Sequence, residues 1–346
     1  MQVSLSAQGV ARASRLRARA GRSDHSEREA YATACALSSG KLTLGTAFHP
    51  GVTVLGLAGC AIVGTMWLAI PTQCLVTLLA LQLPGARTPG VMNVELKPET
   101  VAAFDRYVQL TEARINGEVL QTEKFLYVDG LPPERRSQAL AALKRGEMFM
   151  EPLQTLDVSG QKMKAPEAII HHWLGTVFVP GANLQQTLAL MEDYNRHQDI
   201  YKPEVVRSRI LSRQGNDFKI YYRLRKRKVI TVTLNTNHDI HYFPVDSTRW
   251  YSRSYSTRIA EVVNADTPNE REKPVGHDGG FLWRINSYWK FEEKDGGVYI
   301  ECESISLTRD IPTGLGWLIK PFVTSIPKES LEMTMSATRA ALGGGQ

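Results

Sequence analysis

Two β-rich runs near the C-terminal end of the chain constrain its fold more than any other stretch. In the first run, residues 281–293, large apolar residues alternate with mostly polar ones, which is the period-two pattern of a half-buried strand. Asp295-Gly296-Gly297 supplies a turn, and a second β-rich run comes next over residues 298–309. The pattern predicts a long antiparallel hairpin with one aromatic face.

Shorter strands precede this hairpin. Residues 171–180 form the first predicted strand, and Asn183 can cap a short helix after it. Further strands are predicted over residues 205–212, 218–226, 229–236 and 251–264. A helical region closes the chain over residues 311–342, and Pro312, Pro321 and Pro327 predict its division into a short helix and a longer one that begins near Pro327. The fold class is therefore α+β.

This element order is that of the helix-grip fold, in which a curved antiparallel sheet wraps a long C-terminal helix. Signature residues add to the likeness: Trp-Leu-Gly-Thr-Val-Phe-Val-Pro-Gly at 173–181, Asp-Tyr at 193–194, Phe-Leu-Trp-Arg at 281–284 and Leu-Thr-Arg-Asp-Ile-Pro at 307–312. On these residues the chain resembles the START-related, Bet v 1-like (SRPBCC) superfamily, which includes polyketide cyclases and lipid-transfer domains. The resemblance covers about residues 168–342 and implies a cavity for a hydrophobic ligand.

The N-terminal part divides into two predicted segments. Residues 1–41 form a basic tail without a sustained hydrophobic face, which is typical of a disordered segment. Residues 42–90 form an apolar transmembrane or signal segment, because residues 51–70 are mostly apolar and long enough to cross a bilayer. Basic residues before this run predict that the domain on its C-terminal side is exported. We therefore expect an extracytoplasmic protein, either membrane-anchored or released as a periplasmic or secreted protein.

Three alternatives for this segment stay open. A true start at Met66 would make residues 67–83 the core of a signal peptide, which exports the domain by another route. Leu57-Ala58-Gly59-Cys60 is similar to a bacterial lipobox, in which the cysteine would be acylated. The apolar run could instead form a buried pair of helices inside a soluble domain.

Net charge argues against a nucleic-acid partner. The chain carries +6, but residues 1–90 hold eight Lys/Arg against three Asp/Glu, which leaves about +1 for residues 91–346. A phosphate-binding surface needs clustered basic charge on the folded domain itself. The basic run at residues 223–228 is predicted to be a solvated strand face, and it is the first place to look for contact with an anionic membrane.

The remaining residues form two predicted units, a helical extension with a connector over residues 91–167 and a START-like ligand-binding domain over residues 168–342. In the second unit, the apolar residues of the sheet and of the closing segment that share a predicted inner face are the candidate ligand-binding residues. They are Ile220, Tyr222, Leu224, Val232, Leu234, Trp283, Ile285, Trp289, Trp317, Phe322 and Met335. Four charged residues are candidate polar anchors inside this cavity: Arg258, Glu261, Glu301 and Glu303.

Catalytic and metal-binding motifs are not evident in the sequence. It contains no GxSxG, HExxH or GxGxxG motif, and its four cysteines include no CxxC pair. His171 and His172 are adjacent strand residues that point to opposite faces, so they cannot easily hold one ion. His238 and His241 are interpreted as solvated loop residues. We expect no metal, no cofactor and no dedicated catalytic residue.

These observations predict binding or transport of a hydrophobic small molecule, such as a lipid, sterol-like or polyketide-like compound, without chemical change. The first alternative is a cyclase or dehydratase-like enzyme of the same fold, because the resemblance implies that such cyclases need few dedicated groups. The second is a noncatalytic envelope protein whose N-terminal helices bind a protein partner. The expected partners are the small molecule and, through residues 42–90, a membrane.

Overall fold

Strands and helices alternate in an order close to the predicted one. A computed structural model describes residues 93–228, 230–311 and 316–343, and the side chains of residues 316–323 are outside the description. Two short 3-10 helices, Thr122–Lys124 and Tyr127–Gly130, come after the first α-helix. The other elements are β1 (Val94–Glu95), α1 (Pro98–Val119), α2 (Pro133–Lys144), β2 (Phe149–Pro152), β3 (Ala168–Pro180), α3 (Leu184–Glu192), α4 (His197–Ile200), β4 (Val205–Gln214), β5 (Asp217–Arg227), β6 (Thr231–Pro244), β7 (Arg249–Val263), β8 (Arg271–Glu272), β9 (His277–Asp278), β10 (Arg284–Lys294), β11 (Gly297–Arg309) and α5 (Gly316–Gly343).

One antiparallel sheet holds most of these strands. Its order is β2-β3-β11-β10-β7-β6-β5-β4, and β8 pairs with β7 at its end. The first long strand of the sheet, β3, therefore lies beside the last one, β11. Register shifts occur at two places in β4 and beside Asn237 in β6, which are positions where an extra residue bends a strand.

The predicted hairpin is confirmed as β10 and β11. Asp295 and Gly296 connect the strands with φ angles of 57° and 74°, so Lys294 pairs directly with Gly297. Two successive positive φ angles fit the right-handed twist of a tight hairpin, and Asp-Gly is a sequence that adopts them at little cost. This two-residue turn sets the register between β10 and β11.

One face of the sheet, the helix face, packs against α5. Val177, Phe291 and Ile300 from the sheet are fully buried in a cluster with Leu331 and Met335 of α5. The helix runs without a break from Gly316 to Gly343, so its expected division at Pro321 and Pro327 is wrong. A proline removes one backbone hydrogen bond, and packing on the sheet holds the helical segment after it.

The opposite face of the sheet, the extension face, packs against the N-terminal helices. Phe104, Tyr107 and Ile115 of α1 are buried with Tyr288 and Ile305 of the sheet. A second cluster buries residues of α2 against the neighbouring part of the same face, namely Ala139 and Leu143 with Phe178 and Tyr299. Strand β2 also adds to the sheet edge beside β3. Residues 93–167 therefore form a layer of the fold.

The α+β class, the antiparallel sheet, the C-terminal helix and the N-terminal helical extension are confirmed. The predicted tail and apolar segment, residues 1–90, lie outside the described residues. Within the described residues, no helix combines the length and hydropathy that a membrane crossing requires. Strand β6 extends to Pro244, eight residues beyond the predicted end, so the interpretation of His238 and His241 as loop residues is wrong.

Candidate functional site

The helix face has a closed half in which side chains fill the space between sheet and helix. Val177, Phe291, Val298 and Ile300 have at most about 1% of their surface exposed, and Met335 of α5 has none. Gly175 of β3 allows this close packing, because a Cβ there would lie 2.8 Å from Met150 Sδ and 3.3 Å from Met335 Cγ. The closed half is a conventional core.

Further along the same strands the helix face has an open patch, which we define as Trp173, Ile285, Ser287, Trp289 and Ser304. All five residues are half-buried, although they lie on β3, β10 and β11 in the interior of the sheet. Large apolar side chains on interior strands are normally covered by the opposing layer. The described residues therefore leave space over this patch, and it is the candidate site.

Several predicted ligand-binding residues lie on the helix face with the patch. Ile220 is fully buried in the core cluster, Tyr222 and Trp289 pack against it, and Met335 faces them from α5. Register places the other four predicted sheet residues on the same face: Leu224, Val232, Leu234 and Ile285. Trp317 and Phe322 belong to α5, but their side chains lie outside the described residues.

Trp283 is an exception, because it lies on the extension face. It is buried with Tyr107 and Ile305, and its Nε1 donates a hydrogen bond to Asp278 Oδ1 at 3.1 Å. Strand β10 begins only at Arg284, so the alternation that holds from Ile285 onward does not fix the direction of Trp283. The expectation that Trp283 faces the C-terminal helix is wrong.

Two of the predicted polar anchors, Arg258 and Glu261, form ion pairs or hydrogen bonds with residues of neighbouring loops and strands. Arg258 forms an exposed ion pair with Glu272. Glu261 is buried on the same face as Leu234, but its carboxylate accepts a hydrogen bond from Gly279 N at 2.6 Å and pairs with Lys273 Nζ at 2.7 Å. These contacts give both groups structural partners.

The other two predicted anchors, Glu301 and Glu303, lie on the extension face, beneath α1. Glu301 accepts hydrogen bonds from Tyr127 N at 2.9 Å and Thr176 Oγ1 at 3.2 Å, and it pairs with Lys290 Nζ at 3.2 Å. Glu303 pairs with His172 Nε2 at 2.6 Å and with Arg114 of α1. The two glutamates therefore join the sheet to the N-terminal extension and do not face the open patch.

Electrostatics in this buried network follow from burial and pairing. Burial raises the pKa of Glu301. For Glu303, burial alone favours the neutral acid, but the hydrogen bond from His172 and the charge of Arg114 lower its pKa overall. Burial opposes the charge of Lys290, and the carboxylates of Glu301 and Glu118 outweigh it and raise its pKa. The network is a set of compensated buried charges.

Buried histidines on the helix face were not predicted as site residues. His197 lies against Tyr222, with its Nδ1 2.6 Å from the phenol oxygen, and its Nε2 has no hydrogen-bond partner among the described residues. His238 Nε2 lies 3.0 Å from Thr236 Oγ1, and His171 Nε2 lies 3.0 Å from Thr308 Oγ1. Burial lowers the pKa of each of the three imidazoles to about 4.

These imidazoles are neutral near pH 7, so each can act as a hydrogen-bond donor and acceptor on an apolar surface. As expected, His171 and His172 point to opposite faces of the sheet, toward Thr308 and toward Tyr107 respectively. The buried position of His238 could have been identified from strand register, because His238 lies opposite the buried residue Ile220 of β5.

The basic run on β5 is largely neutralised by ion pairs. Arg223 is buried and contacts Glu270 Oε2 at 2.6 Å, Arg225 pairs with Asp266, and Lys228 pairs with Glu329 of α5 at 2.7 Å. The prediction of a solvated face therefore does not hold for Arg223. Its partners come from the loop after β7, which covers this part of the strand.

Two open clefts adjoin on the extension side of the molecule. Their volumes are about 480 Å³ and 310 Å³, and both are lined by Asp105 of α1 and Arg284 of β10. They lie outside the helix face. In the described residues no group of three His, Cys, Asp or Glu side chains is placed to hold a metal ion.

No family model matches the chain, and no curated protein matches it. Solved structures with a similar backbone include a STAR-related lipid transfer protein from Xanthomonas axonopodis, with 15% identity, a TM-score of 0.35, and coverage of 55% of this chain and 98% of that chain. An aromatase/cyclase from a Streptomyces species has 11% identity, a TM-score of 0.35, and coverage of 50% and 94%. Human STARD10 has 10% identity, a TM-score of 0.34, and coverage of 64% and 84%.

Element order and strand pairing, rather than these scores, decide the fold. Strand β3 pairs with β11, two short helices stand between β3 and β4, a series of antiparallel strands comes next, and α5 packs on the sheet. These features are those of the helix-grip fold. In this domain the open patch lies on the face that carries the C-terminal helix. The activities named for the similar structures belong to those proteins.

Proposed function

We propose that the START-like domain binds a hydrophobic small molecule over the open patch and releases it chemically unchanged. One observation carries the proposal: the side chains of Trp173, Ile285 and Trp289 are only half-buried on interior strands, on the face where α5 packs. Binding an apolar molecule there would remove this surface from water, at about 25 cal/mol for each Å² of apolar area buried.

Native mass spectrometry of the freshly purified protein tests the proposal. A co-purifying apolar molecule of reproducible mass is the expected result. The variant Ser304→Phe, which places a large side chain in the patch, should lose this molecule, whereas Ser212→Phe on the exposed edge strand should retain it. Retention by Ser304→Phe would place the ligand elsewhere and refute the assignment of the site.

An enzymatic function is the second candidate, and the pair of His197 and Tyr222 favours it. A neutral imidazole in contact with a phenol, with its second nitrogen unpartnered among the described residues, is a group that can accept or deliver a proton. Incubating the co-purified molecule with the protein and comparing its mass before and after separates the two candidates. A mass change that is lost in His197→Gln would support catalysis, and an unchanged mass would support binding alone.

We also propose that residues 42–90 direct the domain across a membrane. The support is the sequence itself, since residues 42–86 contain no Lys, Arg, Asp or Glu. A reporter fused after Ala86 should be active outside the cytoplasm. Activity that is confined to the cytoplasm would overturn the proposal.

A further inference from the structure

Two adjoining clefts on the extension side share one pair of opposite charges. Asp105 of α1 and Arg284 of β10 line both of them. Their volumes of about 480 Å³ and 310 Å³ fall in the range of roughly 300–1,000 Å³ that small-molecule sites occupy. Apolar side chains, including Leu96, Val101 and Val275, form most of the larger cleft. We call it the apolar cleft.

The apolar cleft has a fixed frame. Strand β1 pairs with β9, and Leu96 N donates a hydrogen bond to Gly276 O at 2.8 Å. Asp278 Oδ1 accepts hydrogen bonds from Gly280 N at 2.7 Å and from Trp283 Nε1 at 3.1 Å. These contacts hold the segment that leads into β10. Little of the cleft therefore has to become ordered when a ligand binds.

Arg284 and Asp105 carry charges that the described chain does not pair. The guanidinium of Arg284 is oriented by its own backbone, because Nη1 donates to Trp283 O at 2.9 Å. Within the described residues neither Arg284 nor Asp105 forms an ion pair. By contrast, Lys290 on the same face pairs with Glu118 at 2.7 Å. The two opposite charges thus line the same clefts without contacting each other, and a group that carries both charges can bridge them.

Glu112, the other carboxylate in the clefts, has a structural role. Its Oε1 accepts hydrogen bonds from the hydroxyl groups of Tyr255 at 2.6 Å and Tyr288 at 2.8 Å. These bonds tie α1 to strands β7 and β10. Asp105, which is exposed and lies two helical turns earlier on α1, is left as the carboxylate that can bind a ligand beside Arg284.

We propose that these clefts bind a free α-amino acid with a large apolar side chain. Asp105 binds its ammonium group, Arg284 binds its carboxylate, and the apolar cleft takes its side chain. In an α-amino acid one carbon atom joins all three groups, so one pair of protein charges beside one apolar cleft matches them. A guanidinium can donate two parallel hydrogen bonds to a carboxylate. The site lies on the face of the sheet opposite the open patch, so the proposal does not rest on the binding function proposed above.

Four probes test the proposal by calorimetric titration of the full chain. L-phenylalanine carries all three groups, 3-phenylpropanoate lacks the ammonium, 2-phenylethylamine lacks the carboxylate, and glycine lacks the side chain. L-phenylalanine should bind at least tenfold more tightly than each of the other three. A hydrogen bond to a charged group is strong enough to supply this factor.

Two variants assign the charges. Asp105→Asn should weaken L-phenylalanine binding at least tenfold without weakening 3-phenylpropanoate binding. Arg284→Gln should weaken L-phenylalanine binding by a similar factor without weakening 2-phenylethylamine binding. Arg227→Gln, at an exposed position of β5, is the matched control and should bind all four probes as the wild-type protein does. Thermal unfolding checks that each variant is folded, and neither test substitution removes a described side-chain contact between elements.

Three results would overturn the proposal. They are no binding of L-phenylalanine by the wild-type protein, equal binding of either singly charged phenyl probe, and wild-type affinity for L-phenylalanine in both variants. None of them bears on the open patch, because native mass spectrometry of the co-purified molecule reports on the other face of the sheet. Loss of that molecule's signal would likewise leave the amino-acid site standing.

Discussion

Removing the ammonium group of Lys290 should destabilise the protein far more than removing an exposed lysine. The side chain of Lys290 is 3% exposed, and its Nζ lies 2.7 Å from Glu118 Oε2 and 3.2 Å from Glu301 Oε1. In Lys290→Met, Glu301 keeps its hydrogen bonds from Tyr127 and Thr176 but loses its cation. Breaking a buried ion pair from one side costs about 3–5 kcal/mol, because the other charge remains buried.

Urea unfolding at pH 7, followed by tryptophan fluorescence, measures this cost. Lys219→Met is the matched control on the same sheet, since Lys219 and Asp239 form an exposed pair, and its cost should stay at about 1 kcal/mol or less. The double variant Lys290→Met/Glu301→Gln should recover most of the lost stability. A cost below about 1 kcal/mol for Lys290→Met, or a double variant as unstable as the single one, would refute the account of a compensated buried pair.

The same variant should respond to pH in a defined direction. Burial already raises the pKa of Glu301 above its ordinary value, and loss of the lysine should raise it further. A raised carboxyl pKa in the folded state gives stability that is present in acid and is lost as the pH rises through that pKa. The difference in stability between wild type and Lys290→Met should therefore be smaller at pH 5 than at pH 8.

The helix face and its histidines give three further predictions. Gly175→Val should cost about 1–3 kcal/mol in urea unfolding, because the new side chain meets Met150 and Met335. Met335→Ala should cost about 2–5 kcal/mol, measured as a lower Tm by calorimetry, since it leaves a cavity under α5. The free energy of unfolding should fall as pH decreases from 6.5 to 4, by about 3 kcal/mol for each buried histidine, because the unfolded chain takes up protons that the folded one does not. Replacing one of them by glutamine should remove its share of this slope; the three are His171, His197 and His238.

Sequence patterns predicted the fold well where one face of a strand is apolar throughout. Residues 218–224 and 285–291 alternate cleanly, and their apolar members lie on the helix face as expected. The prediction that Trp283 faces the C-terminal helix failed because Trp283 precedes β10, the strand whose alternation was used to place it. The prediction that His238 lies in a loop failed because Asn237 and Asp239 beside it favour a turn. Pairing with β5 and β7 holds all three residues in a strand.

The extension face could not be predicted from the sequence of residues 168–342 alone. Glu301 and Glu303 alternate with Ile300 and Cys302, so register places them away from the helix face. A charged strand face normally contacts water, and no residue of the strand itself signals that another layer covers it. In the structure α1 covers that face and supplies Arg114 and Glu118 as partners, and these pairings link segments more than 170 residues apart.

The layer formed by the N-terminal helices has a practical consequence for anyone who expresses this protein. A fragment trimmed to begin at residue 168 would expose Tyr288, Lys290 and Glu301 at once, together with the apolar surface that α1 and α2 cover. Such a fragment is expected to aggregate, since bare apolar sheet surface and unpaired charges favour association over folding. The smallest fragment suitable for expression begins before Val94, so that it includes the strand and helices that cover this face.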